Sequence, residues 1–171
     1  LTLTNLNLAD WKAFAPELDA TGGAHATLRI TSRQSGQQVA FNLAGKVENL
    51  SATVGSNRLD GVSANLAALG QVTDFKQYNV TNYQFSLLRR NEAVATLDGS
   101  AFMDTDKHSM DVRLRLDGAL AGLLQLAPQP GMTLTAGRVK LDTKIGQAGG
   151  VETLSGQLAL NGVTGTYGDH C

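Results

Sequence analysis

Residues 110–128 read MDVRLRLDGALAGLLQLAP, and their pattern recurs through the rest of the chain. Met110, Val112, Leu114 and Leu116 alternate with Asp111, Arg113, Arg115 and Asp117, the period of two of a strand with one face buried. One face is wholly apolar, the other wholly charged. After Asp117-Gly118 the period lengthens. Leu120, Leu123, Leu124 and Ala127 recur at helical spacing as far as Pro128, which has no amide to continue a helix. The stretch predicts a strand that feeds an amphipathic helix of about two turns.

The same phrase stands near the start. Leu6 and Leu8 lead into residues 9–16, ADWKAFAP, with Trp11 and Phe14 where Leu123 and Leu126 stand later. Ala15-Pro16 matches Ala127-Pro128 at an offset of 112 (128 − 16). Leu43-Ala44-Gly45-Lys46-Val47 matches Leu154-Ser155-Gly156-Gln157-Leu158 at 111 (156 − 45), and Leu28 and Ile30 fall on Val139 and Leu141 at that same offset. The spacing predicts one β-rich domain over 1–171, in which 1–108 is a first repeat unit and 109–171 the start of a second. Such units stack to bury a shared core, so the chain is expected to be a fragment of a longer array.

Between these landmarks the chain reads as successive strands joined by short turns. Ala24, Ala26, Leu28 and Ile30 alternate with polar residues up to a hairpin tip at Ser35-Gly36, and Val39, Phe41 and Leu43 return. Further turns are expected at Gly55-Ser56-Asn57, at residues 89–92, at residues 104–107 and within 146–150. The apolar phase slips at Thr4-Asn5, around Gly61, at Thr81-Asn82 and between Ala136 and Val139, and each slip predicts a bulge or bend. Residues 66–69 fit either a strand end or a helical turn.

Composition narrows the function classes. Fifteen acidic and fourteen basic residues leave a net charge of −1, so no field favours nucleic acid. The single cysteine, Cys171, excludes an internal disulfide and a thiolate zinc site. The longest apolar run, residues 118–124, falls far short of the roughly 18 residues that cross a bilayer as a helix. Because the chain opens on Leu1 in mid-alternation, a mature part or fragment is expected.

No reactive constellation stands out. His25, His108 and His170 lack metal-ligand spacing and read as surface residues. Asp104-Thr105-Asp106 lacks the glycine and closing glutamate of a calcium loop and reads as a hairpin turn. Asp169-His170-Cys171 are adjacent and cannot converge as a triad. The acceptor-like Asn49-Leu50-Ser51 and Asn79-Val80-Thr81 read as chance patterns, and Arg89-Arg90 as a solvated turn. The expectation is a non-enzyme with no catalytic residue, no metal and no cofactor.

The Leu-x-Leu alternation, the phrase Leu-Ala-x-Trp/Leu-x-x-Phe/Leu-Ala-Pro and the Leu-x-Gly-x-Val strands resemble the AsmA-like superfamily of bacterial envelope proteins. The resemblance covers most of the chain and rests on apolar patterning. It implies a long curved antiparallel sheet folded into a trough with an apolar concave face. It also implies a periplasmic setting in the cell envelope, a membrane anchor outside residues 1–171, and a part in phospholipid transport or outer-membrane integrity. Phospholipid or another acyl-chain ligand, and envelope proteins, would be the partners. The family has no catalytic residues to carry over.

The residues themselves lead to the same choice of forms. Roughly ten one-sided strands present more apolar surface than two short helices can cover, so the sheet must fold on itself or hold something apolar. The expected fold is mainly β: a long curved antiparallel sheet folded into a trough or a two-layer sandwich, with two short helices at the repeat starts. In the trough, Leu28, Ile30, Val39, Phe41, Phe85, Leu97, Val112, Leu114, Val139 and Leu141 would face lipid. In the closed sandwich the same residues would interdigitate, and the chain would be a structural or adhesive module that binds a protein or glycan.

Overall fold

The computed structural model describes residues 1–7, 19–54 and 57–168. Nine strands follow one another in chain order: β1 (Thr2–Asn7), β2 (Asp19–Arg33), β3 (Gln38–Val54), β4 (Asn57–Thr73), β5 (Gln77–Arg89), β6 (Glu92–Asp104), β7 (Ser109–Ala119), β8 (Met132–Ala148) and β9 (Val151–Tyr167). All pair antiparallel with their sequence neighbours in one sheet. A helix, α1 (Leu120–Leu126), interrupts the meander between β7 and β8, where the leucine spacing places it. The expected first helix and its Trp11 lie outside the described residues, as do Gly55 and Ser56. Among the described residues no helix is long and apolar enough to cross a membrane.

The sheet is curved and unclosed. Extensive strand contacts join only chain neighbours, and α1 touches β6, β7 and β8, so no second sheet covers either face among the described residues. Of the two expected forms the chain adopts the trough. The reason is local: from β2 to β7, and again from β8 to β9, the strands are joined by no more than four residues, α1 fills the longer connection between β7 and β8, and each strand pairs with the last. Residues 66–69 are the middle of a single strand, held on both sides by β3 and β5.

The phase slips in the sequence are bulges in the ladder. The β1–β2 register shifts between Leu3 and Leu6, and on β5 it shifts between Val80 and Tyr83, so Thr81 and Asn82 absorb the extra residue. At Gly61 the backbone takes φ +63°, a conformation that costs glycine nothing, and the β3–β4 register shifts beside it. The shift between Leu134 and Ala136 does the same on β8, and the one between Ala136 and Arg138 puts the extra residue on β9. Each bulge swaps the phase of the sequence so that apolar residues on both sides of it keep to one face.

The opposite face is polar and ion-paired across strands. Arg115 lies between its register partners Asp98 (3.9 Å) and Asp142 (3.5 Å). Arg138 Nε and Nη2 donate to Asp117 Oδ1 at 3.0 and 2.7 Å, and Lys144 meets Asp111 at 3.0 Å. Exposed pairs of this kind contribute about 0–1 kcal/mol each; their larger effect is to mark this face for water. The buried apolar core is small. Among the described residues Ala52, Val62 and Val94 are the buried hydrophobic ones, and Val94 lies against Gly122 of α1.

Candidate functional site

The register assembles the apolar face row by row. One row runs Ile30, Phe41, Gly70, Val80, Ala101, Val112, Ile145, Leu154 from β2 to β9. The next runs Leu28, Leu43, Ala68, Tyr83, Gly99, Leu114, Thr143, Gly156, and a third Ala26, Gly45, Leu66, Phe85, Leu97, Leu116, Leu141, Leu158. Val39 and Val139 lie in the rows that flank these. The ten residues singled out from the alternation therefore share one face of one sheet. The same face also holds Leu43, Val47, Leu66, Leu116, Leu154 and Leu158, which obey the same alternation and could have been named with them.

Little covers this face. Leu154 is 75% exposed, Leu158 66% and Ile30 63%. A soluble monomer rarely shows so long an apolar surface without a use for it. Between β2 and β5 the floor falls into a hollow of about 340 Å³ over Ala24, Ala26, Gly45, Ala64, Leu66 and Phe85, where small side chains leave depth.

Two aromatic residues lie against glycine on the neighbouring strand. Phe41 packs where a Cβ of its register partner Gly70 would stand, and Tyr83 does the same at Gly99. Tyr83 Oη reaches across β6 to donate to the Arg113 carbonyl at 2.9 Å. The desolvation that accompanies this raises the phenol pKa above its ordinary value, with the Asp98 charge adding to the rise. Bare glycine backbone lets the strand approach the ring closely, and the bulges add twist, which together suit a curved sheet.

At one end the trough is capped by α1. A Cβ on Gly118 would stand 3.0 Å from Leu123 Cδ1, and one on Gly137 3.0 Å from Leu120 Cδ1, so the helix lies on the apolar face against glycines of β7 and β8. The helix N-terminus has no side-chain cap. Its seat is apolar packing.

Several of the polar residues considered from the sequence have structural roles. Asp104 is 2% exposed and closes the β6–β7 turn: Oδ1 accepts the amides of Asp106 and Lys107 at 3.1 Å each, and Oδ2 accepts Gln77 Nε2 at 3.0 Å. The Lys107 amide bond is the main reason its pKa lies below the ordinary carboxylate value. That carboxylate is already committed to the turn, and among the described residues no group of three His, Cys, Asp or Glu could hold a metal ion. His25 stands 3.6 Å from Glu48, whose carboxyl is held below its ordinary value chiefly by Lys46. His170 and Cys171 lie outside the described residues. A hollow of about 460 Å³ lies on the polar face among Asp98, Arg115, Asp117 and Lys140, whose charges are paired with one another.

No family model, curated protein or solved structure matches the chain. What the apolar face can bind therefore follows from its own chemistry: apolar atoms over a long curved surface, with no polar group required along the three central rows.

Proposed function

We propose that this protein handles phospholipid through its apolar trough, without catalysis, in the periplasmic envelope of a bacterium, as an AsmA-like protein whose full-length chain is membrane-anchored. The observation that carries the reading is the single uncovered layer: successive strands present a continuous apolar face, and among the described residues no second sheet closes on it. An acyl chain gains about 0.8 kcal/mol for each methylene it buries, and a groove of aliphatic rows delivers that gain anywhere along its length. The floor of Ala and Gly beside Leu66 and Phe85 leaves room for a chain rather than filling the space.

Purification from a bacterial host, extraction with organic solvent and mass spectrometry test the reading. Phospholipid should co-purify. A photoreactive amino acid at Val112 should crosslink to lipid, and one at Arg113, on the opposite face, should not. Lipid-free protein whose Val112 probe reaches only protein would overturn the proposal and favour a module that binds a protein partner.

A further inference from the structure

The apolar face carries an arginine. Arg89 pairs in register with Val62 and Glu92, two residues on from Leu87, and so rises from the same face as Phe85 and Leu87, beside α1. Its Nη1 donates to Gln125 Oε1 of the helix. Its Nε is buried and has no hydrogen-bond partner. Buried donors are nearly always paired, so an orphan here is an unfilled demand for an acceptor. With Nη1 held by Gln125, the Nε–Nη2 edge is the one left to match two oxygens of one anionic group, which has to displace the packing that now shields Nε.

The surroundings give this fork room and a second cation. Two hollows of about 380 and 420 Å³ meet at Arg89, one beside Arg90, Val94 and Gly122, the other beside Leu124 and Leu134. Glu92 also lines the first hollow, so Arg89 and Arg90 against one carboxylate leave a net charge of +1 at the mouth. The cation stands at the capped end of a groove that is otherwise aliphatic.

We propose that Arg89, with Arg90 beside it, is the headgroup end of the trough and binds the phosphate of a phospholipid whose acyl chains run from there along the aliphatic rows. This rests on the lipid reading above. It adds polarity to the trough: the phosphate stays at the α1 end, next to the buried donor that lacks a partner, and the chains point toward the β2–β3, β4–β5 and β6–β7 hairpin tips.

The test offers the full chain vesicles that contain phosphatidylglycerol and diacylglycerol with identical acyl chains, recovers the protein free of vesicles, and measures which lipid it holds. Phosphatidylglycerol should exceed diacylglycerol by about tenfold or more, the scale of a charge-assisted hydrogen bond. Arg89→Gln should bring the ratio toward one. Gln125 is exposed, so Gln125→Glu should fold normally, and by setting a carboxylate against Arg89 it should lower the ratio in the same way. Circular dichroism of both variants checks folding. Equal retention of the two lipids by the wild type, or a ratio unmoved by a folded Gln125→Glu, overturns the headgroup site and leaves the trough standing. Retention of neither lipid removes both readings. Free glycerol phosphate that competes as well as phosphatidylglycerol would make this a site for a soluble phosphate and overturn the headgroup assignment.

Discussion

Gly99→Ala isolates the contact that lets β6 pass beneath an aromatic ring. A methyl group there would press on the Arg113 carbonyl and stand 2.5 Å from Tyr83 Oη and 2.7 Å from Cζ. The Gly99 backbone is in a conformation that any residue adopts, so the cost comes from space alone. Moving the ring breaks the Tyr83 Oη to Arg113 O hydrogen bond, about 1 kcal/mol. Overpacking against backbone, which cannot give way as a flexible side chain does, adds about 1–3 kcal/mol. Restricting the unfolded chain returns about 0.4–1 kcal/mol. The balance is a loss of about 1–3.6 kcal/mol, centred on about 2, or at that centre a Tm lower by about 4–8 °C for a chain of this size. Tyr83→Phe, which removes only the hydroxyl, should lose about 1 kcal/mol. Urea or thermal unfolding followed by circular dichroism measures both. A Gly99→Ala protein as stable as the wild type, or no weaker than Tyr83→Phe, would refute the close approach of ring and strand.

Leu114 and Arg113 point to opposite faces, so Leu114→Asp should cost about 2 kcal/mol or more by placing an unpaired carboxylate between Gly99 and Thr143, whereas Arg113→Asp, at a side chain 61% exposed, should cost less than about 1 kcal/mol. Equal losses in thermal unfolding would show the faces to be misassigned. Asp104 has a folded-state pKa below its unfolded value, so its stabilising contribution is present above roughly pH 4 and is lost as pH falls through the lowered folded value. Asp104→Asn should therefore flatten part of the acid limb of stability against pH, and an unchanged limb would show that the turn does not depend on the ionised carboxylate.

The faces of the sheet were legible because a period of two assigns them without reference to which strand pairs with which. The bulges at Thr4-Asn5 and Thr81-Asn82 were legible for the same reason: a face that must stay apolar forces the extra residue to announce itself as a slip of phase. The helix could be read from Leu120, Leu123 and Leu124, since its period differs from that of the strand before it. Arg89 was misread as part of a solvated turn. The turn is only Arg90-Asn91, with φ of +51° and +68°, and β5 runs on through Arg89 with its side chain on the apolar face. A two-residue turn of this hand leaves no spare residue to solvate, but Arg-Asn is a weak signature for it beside Asn-Gly. The 111-residue offset also drifts. It places a tip equivalent to Ser35 at residue 146, and the β8–β9 turn comes three residues later, at Gly149-Gly150, because β8 continues to Ala148.

Whether a one-sided strand meets a second sheet or stays uncovered is decided by connections, which leave almost no trace in the alternation. Here the described turns are short, so the sheet lengthens sideways and its apolar face is never folded onto itself. Two consequences oppose each other. The middle strands carry paired charges on their polar face, which directs water to one side of the sheet. The last strand, β9, is exposed along its whole length and has Glu152 as the one charge in its seventeen residues, so its edge lacks the lysines and prolines that usually discourage further pairing. A sheet that tolerates this cannot draw its stability from a sealed interior. It draws on cross-strand pairs, on the close fit of Phe41 and Tyr83 over glycine, and on α1 wedged against Gly118 and Gly137. Those contacts fix the curvature through backbone and glycine rather than through side chains that fill the groove. The aliphatic rows consequently stay open, and among the described residues Arg89, beside the helix, is where a buried donor on that face lacks a partner.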